Sequence, residues 1–575
     1  MTEHKNILSE SSVIPGGKKM AATWQRFLQA LTQQPDLWIN ICTEVQRKQL
    51  EVTSSLGAKN EEKEEIVSPS KGDRRFSDKQ WRENPFFSML MQNYLLNSEA
   101  VREVVEKVNL PESDKKLLRF SIGQYVDAMS PSNFPATNPT VMEEAMQTGG
   151  ENFVTGMQNL MSDAQNGTIS NTDRESFVIG GNIACTPGKV IAQNDVMQLI
   201  EYAPQTAQVY CRPLLIVPPC INKYYILDLQ QKNSFVRHAI AAGHRVFLVS
   251  WVNAGQKQRN FDWDFYLREG VMAALDIVSA VCKGEKINTL GFCIGGTLLA
   301  CALAVLAKSD ESPAQSLTLL ATMLDFSDAG EIGLFVDKEM VGDYEQRFAD
   351  GGVLDGRNLA RGFAALRPND LIWPYFIDNY YLGKKPQAFD LLFWNADSTN
   401  LPGPMFSSYL RDTYLENRIA KDKATMCNVP VRLLTLSHLP LYAVSCEKDH
   451  IVPWRTAYES ARLLGGKGSK ARFVLAASGH IAGIINPPDK NKGWHQTSAA
   501  GVLPKNVAQW QATAKQQEGG WWNDWIGWLA RQSGKKKAAP KRVGNVRYSP
   551  IEDAPGTYVS VPRPDIVTSQ VEAKE

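Results

Sequence analysis

The chain has 575 residues, 43% hydrophobic and 21% charged, enough for a large core and for more than one domain. Its 62 Lys and Arg balance 61 Asp and Glu, and the resulting net charge of +1 lacks the basic excess of a nucleic-acid binder. Nine cysteines form no CxxC pair and no Cys/His cluster at zinc spacing, so they read as reduced thiols rather than as a disulfide scaffold or a metal site.

In chain order, "MTEHKNILSESSVIPGGKK" lacks the apolar centre of a secretory signal. The most apolar run, around residues 297–307, is far shorter than the roughly 20 residues needed to cross a bilayer. A soluble, cytoplasmic protein with no transmembrane segment is therefore expected. "WQRFLQALTQQPDLWINICTEVQRKQLEV" has helical spacing with a break at Pro35. The amphipathic stretch from Met20 to about Leu50 suits either docking of a partner or packing within its own domain. Residues 54–78 are charged and poor in apolar side chains, the composition of a linker. Helical periodicity returns over 84–108 and continues through "KKLLRFSIGQYVDAM". Residues 1–184 thus read as a mostly helical N-terminal domain without a catalytic motif.

Beyond residue 185 the texture is α/β. Short apolar runs at 212–219, 244–252, 287–293, 439–449 and 471–480 alternate with helical stretches, which predicts a mainly parallel sheet covered on both faces. The alternation fails between about 326 and 428, where an aromatic-rich segment reads as a cap or lid insertion. Farther on, "GGWWNDWIGWLA" places Trp521, Trp525 and Trp528 on one helical face, suited to packing on the core. The basic stretch "RQSGKKKAAPKRVGNVR" reads as a solvated linker.

"GFCIGG" (291–296) has the form Gly-x-nucleophile-x-Gly between a predicted strand and a predicted helix. Such a turn presents the nucleophile at the mouth of the sheet, and the helix N-terminus favours developing negative charge. Asp449 and His480 end later strands, in the order nucleophile, acid, base of an α/β-hydrolase. His450 is a rival base, but its adjacency to Asp449 turns its side chain elsewhere.

Together "GFCIGG", "EKDHIVPW", "SGHIAGIINPP", "PPCINKYYILDL", "LRPNDLIW" and "FWNADSTNLPGPM" resemble a polyhydroxyalkanoate synthase, and the length is similar to that of the single-subunit class I enzymes, with the medium-chain class II enzymes of similar size. The resemblance implies an α/β-hydrolase fold over 185–575, a cap insertion and a preceding helical domain. It implies an acyltransferase that polymerises (R)-3-hydroxyacyl-CoA thioesters, releases CoA and needs no cofactor or metal. It implies Cys293 as the covalent acyl carrier, His480 as its base, and Asp449 as an acid that also helps activate the incoming 3-hydroxyl. The oxyanion is expected on the backbone N–H groups of Ile294 and Ile221, and Arg367 is expected to line a substrate channel. A growing polyester chain, a granule surface and a homodimer are the implied partners. Two details stand apart: Cys446 reads as a small packing residue, and Ser407-Ser408 follow "LPGPMF" where bulkier aromatics would narrow an acyl pocket. The rival readings are a thioesterase, in which water intercepts the acyl group, and a non-catalytic granule-associated binding protein on a hydrolase scaffold.

Overall fold

The computed structural model describes residues 17–56, 65–309, 312–465, 470–488 and 493–560. They fall into two compact units, one of residues up to 173 together with 361–387, the other of 174–360 together with 388 onward.

The first unit is built from helices α1 (Gly17–Thr32), α2 (Pro35–Leu56), α3 (Pro85–Lys107), α4 (Glu112–Ala128), α5 (Pro139–Gln147) and α6 (Glu151–Asn166). The expected break falls at Pro35, which opens α2 at a position where its missing N–H costs nothing. Asn84 and Asn138 cap α3 and α5 with their side-chain oxygens. Phe27, Ile41, Val104, Val108, Leu118 and Ile122 form one apolar core. At its rim Arg26 makes a bidentate pair with Asp114, at 2.8 and 2.7 Å.

Residues 57–64 of the predicted linker lie outside the described residues. The part from 65 onward is not a linker. Phe76 is buried edge-on against Trp81, with ring centroids 5.0 Å apart. Arg75 pairs with Asp73 and donates to the Tyr94 hydroxyl, so its charge is absorbed locally. The middle of the predicted cap also belongs here. On α6, Asn152 donates to the Tyr381 carbonyl (2.7 Å) and Asn159 to the Asn379 carbonyl (3.0 Å), while Asp163 accepts from the Tyr380 hydroxyl (2.7 Å). The unit therefore closes through 361–387, a return that a linear division at residue 184 does not contain.

The second unit holds an eleven-stranded sheet: β1 (Gly188–Gln193), β2 (Met197–Tyr202), β3 (Leu214–Val217), β4 (Val246–Trp251), β5 (Ile287–Phe292), β6 (Ala314–Leu320), β7 (Leu441–Cys446), β8 (Ala471–Ala476), β9 (Trp494–Thr497), β10 (Lys515–Glu518) and β11 (Glu552–Asp553). Their order is β10-β9-β8-β7-β6-β5-β3-β4-β2-β1-β11. The six from β8 to β4 are parallel, and the flanks are antiparallel. This is the sheet of an α/β-hydrolase. The five strands read from the sequence are all present. β6, wedged between β5 and β7, went unread because Gln315, Ser316 and Thr318 dilute its apolar run.

Helices α7 (Ile294–Leu306), α8 (Trp454–Leu464) and α9 (Trp522–Gln532) cover the sheet. Every residue of α7 from Ile294 to Val305 is buried, which accounts for its apolar composition. Trp521, Trp522, Trp525 and Trp528 are buried as well. The chain leaves the sheet after β6 at Leu320 and rejoins it at Leu441, so the insertion is longer at both ends than the 326–428 read from the sequence.

Candidate active site

At the end of β5 the chain turns through Cys293 with φ 52° and ψ −127°, a conformation that an L-residue holds at a cost of about 1–3 kcal/mol. The surroundings impose it. The Cys293 N–H donates to the Leu320 carbonyl (2.9 Å), and the Cys293 carbonyl accepts from the N–H groups of Gly296 (2.9 Å) and Thr297 (3.3 Å). The two motif glycines are steric requirements. A Cβ on Gly291 would lie 2.3 Å from the Gly296 Cα, and one on Gly295 would lie 2.4 Å from the carbonyl oxygens of both Val217 and Pro218. The elbow thus seats directly on the end of β3.

Asp449 follows β7 and His480 follows β8. Nδ1 of His480 lies 2.7 Å from Oδ2 of Asp449. A carboxylate only accepts, so Nδ1 carries the proton and Nε2 is left for chemistry. The second carboxylate oxygen accepts from the N–H groups of Ile451 (2.9 Å) and Val452 (2.8 Å), which fixes its aim. Both side chains are buried, at 7% and 5% exposure. The imidazole lies over the Phe292 ring, the residue before the nucleophile, with centroids 5.7 Å apart. Burial opposes its cation, but the Asp449 carboxylate and Cys293 outweigh burial and push its pKa up to about 10. The structure thus brings together Cys293, Asp449 and His480, and His480 rather than His450 is the partner of Asp449.

The His480 loop is braced from α9 and its approach. Trp521 and Trp522 donate their indole N–H groups to the carbonyls of Gly483 (2.9 Å) and Ile484 (2.8 Å). Cys446 is fully buried, packed where a Cβ on Gly483 would fall 2.5 Å from its sulfur, in keeping with a packing role.

Ile294 opens α7, so its N–H is among the donors that a helix leaves without an intrahelical partner. Ile221 lies on the loop after β3, one residue beyond the buried Cys220, whose thiol burial pushes up and which the charge of Cys293 also reaches. Ser407 is buried and its hydroxyl donates to the Gly403 carbonyl (2.9 Å). Arg367 belongs to the first unit, where it is half-exposed and paired with Asp370.

Sequence reasoning missed Tyr409 and Tyr414. Both come from the insertion, their rings perpendicular with centroids 5.7 Å apart, and Trp263 stacks on Tyr409 at 5.5 Å. Burial raises both phenols, and nearby Cys293 adds to the rise in each. Tyrosines five residues apart in a segment without clear periodicity give no sequence signal. Among the described residues no His, Cys, Asp and Glu group could hold a metal ion, and no helix is long and apolar enough to cross a membrane.

The sequence matches the family described as the poly-beta-hydroxybutyrate polymerase (PhaC) N-terminus over residues 72–239, and the alpha/beta hydrolase fold over residues 213–487. It is 48% identical over 493 residues to the poly(3-hydroxyalkanoate) polymerase subunit PhaC of Cupriavidus necator, covering 85% of this chain and 83% of that protein. It is 40% identical over 504 residues to the protein of the same name from Rhizobium meliloti, covering 87% and 81%. Among solved structures, a monoacylglycerol lipase of Paleococcus ferrophilus aligns over 59% of this chain and 99% of its own, at 13% identity and a TM-score of 0.33.

Proposed function

Because the chain belongs to the poly(3-hydroxyalkanoate) polymerase family, we propose that it polymerises (R)-3-hydroxyacyl-CoA thioesters through an acyl group carried on Cys293. The observation that carries this reading is the buried Asp449–His480 pair set against a cysteine at a strained strand-to-helix turn. His480 holds the proton drawn from the thiol, and the sulfur attacks the thioester carbonyl. The developing oxyanion is received by the N–H groups of Ile294 and Ile221. The carbon–sulfur bond to CoA then breaks, and the departing thiolate takes the proton from His480. The exchange of one thioester for another is nearly isoenergetic, so the acyl group stays reactive and no cofactor is called for. The 3-hydroxyl of the next unit then gives its proton to His480, with Asp449 assisting through or beside it, and attacks the acyl-cysteine carbonyl; the acyl–sulfur bond breaks, the ester forms, and the Cys293 sulfur leaves to take up the proton. A serine would form a more stable ester, less ready for transfer, which accounts for a thiol at the elbow.

The reading makes the growing polyester the enzyme's partner, places it in the cytoplasm at the granule surface, and has it work as a homodimer. Arg367 would act as a cation along the substrate channel. The test is to incubate the purified chain with (R)-3-hydroxybutyryl-CoA, follow free CoA, and size the product. CoA release with high-mass polyester is expected. Free hydroxy acid alone would make the protein a thioesterase, and no CoA release would leave a binding protein.

A further inference from the structure

Beyond Pro218 the loop after β3 runs through the core without strand partners in the sheet. It is laced to a remote segment, residues 390–400, just after the chain returns to the second unit. Asn233 donates to Asp390 (2.9 Å), and the Trp394 indole donates to the Lys223 carbonyl (2.7 Å). The Tyr225 hydroxyl donates to Asp397 (2.9 Å), and Ser398 pairs as an antiparallel bridge with Asn222. The Thr399 N–H donates to the Ile221 carbonyl (3.1 Å). Asn400 closes the row: its N–H donates to Asn253 Oδ1 (2.9 Å) just beyond β4, and its side chain donates to the Ala254 carbonyl (3.3 Å) and accepts from the Gly356 N–H (3.0 Å). Trp394, Ser398, Thr399 and Asn400 are all buried, so these bonds do not compete with solvent.

We propose that the 390–400 strap is a positioning element for the oxyanion site: by holding the Ile221 carbonyl, and with it the backbone on the C-terminal side of Ile221, it fixes the direction in which the Ile221 N–H points. The inference rests on the reading of Ile221 as the second oxyanion donor during acyl transfer to Cys293. A donor stabilises a developing oxyanion only when it is fixed before the reaction, because reorienting it then would cancel its effect. Ile221 stands between the buried side chain of Cys220 on one side and its own carbonyl, pinned by Thr399, on the other. The lacing continues on both sides of that point through Lys223, Tyr225 and Asn253. Trp394, Asp397, Thr399 and Asn400 thus act through Ile221 and touch no reacting atom.

The experiment uses the full chain with Tyr225→Phe, with Trp394→Phe, and with both, and measures two reactions at Cys293. Acylation by (R)-3-hydroxybutyryl-CoA, read as CoA release in a single turnover, passes through a tetrahedral oxyanion. Alkylation by iodoacetamide uses the same thiol but displaces iodide and forms no oxyanion. Loss of a complete oxyanion donor costs about 10²–10³-fold, so a displaced one should slow acylation about tenfold in each single variant and about 100-fold in the double. Half-saturation by the thioester should change less than about threefold and alkylation less than about twofold. Tyr442→Phe removes a similar hydroxyl–carboxylate bond, to Asp524 (2.7 Å), at the start of β7, and should leave both reactions as they are. Unchanged acylation in a folded Tyr225→Phe and double variant overturns the proposal. So does an equal fall in both reactions, which would mark general damage to the elbow. An unmodified chain that takes no acyl group from the thioester overturns the acyl-transfer reading instead, and so separates the two failures.

Discussion

Two turns meet at the C-terminal edge of the sheet, and they are held by opposite means. The elbow after β5 is fixed by its own neighbours: Gly296 and Thr297 bind the Cys293 carbonyl, and Gly291 and Gly295 let backbone meet backbone. The loop after β3 is fixed by backbone and side-chain groups about 170 residues farther along the chain. A turn held locally writes itself into a pentapeptide. A turn held from a distance leaves only scattered aromatic and amide residues. The difference shows which half of the site a sequence reveals and which half folding must assemble.

That contrast can be broken most severely at Gly295, where the two turns touch. Gly295→Ala drives a Cβ against the carbonyls of Val217 and Pro218. It should abolish CoA release and lower the unfolding free energy by about 3 kcal/mol, measured by urea titration. Retained activity would mean that the elbow and the β3 loop are not in firm contact. Cys293→Ser leaves both turns in place and changes only the nucleophile, so polymer yield should fall by about 10³-fold or more while the urea midpoint barely moves.

Asp449→Asn tests the third loop of the site. Removing the carboxylate's basicity should slow elongation by about 10²–10⁴-fold while the first acylation survives, seen as short chains on Cys293 by mass spectrometry. The same variant has a signature in stability. His480 is raised from 6.5 to about 10 in the folded chain, so its contribution is fully present below pH 6.5 and is lost as pH climbs towards 10. Asp449→Asn should be less stable at low pH and should show a flatter decline across that window, read from urea midpoints. The smallest effect belongs to Arg367→Ala, outside both turns. Its exposed pair with Asp370 should contribute less than about 0.5 kcal/mol. A severalfold rise in KM with unchanged stability fits a channel cation, and an unchanged KM removes Arg367 from the channel.

The candidate trio of Cys293, Asp449 and His480 was legible as a constellation because each member ends a strand whose apolar run is plain in the sequence, and because strand order constrains which carboxylate and imidazole can meet. The five strands read in advance are those buried on both faces with few polar interruptions. β2 escaped notice since Gln198 and Glu201 lie in it, both fully buried; Glu201 is matched by Arg245, and the sequence does not display that pairing. Most of the strap lies within the "FWNADSTNLPGPM" motif, but its partnership with the β3 loop leaves no sequence signal: hydrogen bonds from Trp394 or Asn400 to distant carbonyls have no period. The charge-rich 65–78 was misread as a linker because its pairing of Arg75 with Asp73, and its buried Phe76, depend on α3 being alongside.

The closure of the helical unit through 361–387 has a consequence for the order in which the protein is made. After residue 173 has been synthesised, about 210 more must follow before the unit is complete, a delay of roughly 10–40 s at ordinary elongation rates. Throughout that interval Asn152, Asn159 and Asp163 on α6 wait for Tyr381, Asn379 and Tyr380. Meanwhile Phe153, Met157 and Met161 on the same helix are exposed even in the finished chain. The nascent helical unit is therefore the stretch most in need of a chaperone during translation, and slow codons placed shortly before residue 361 would lengthen its exposure.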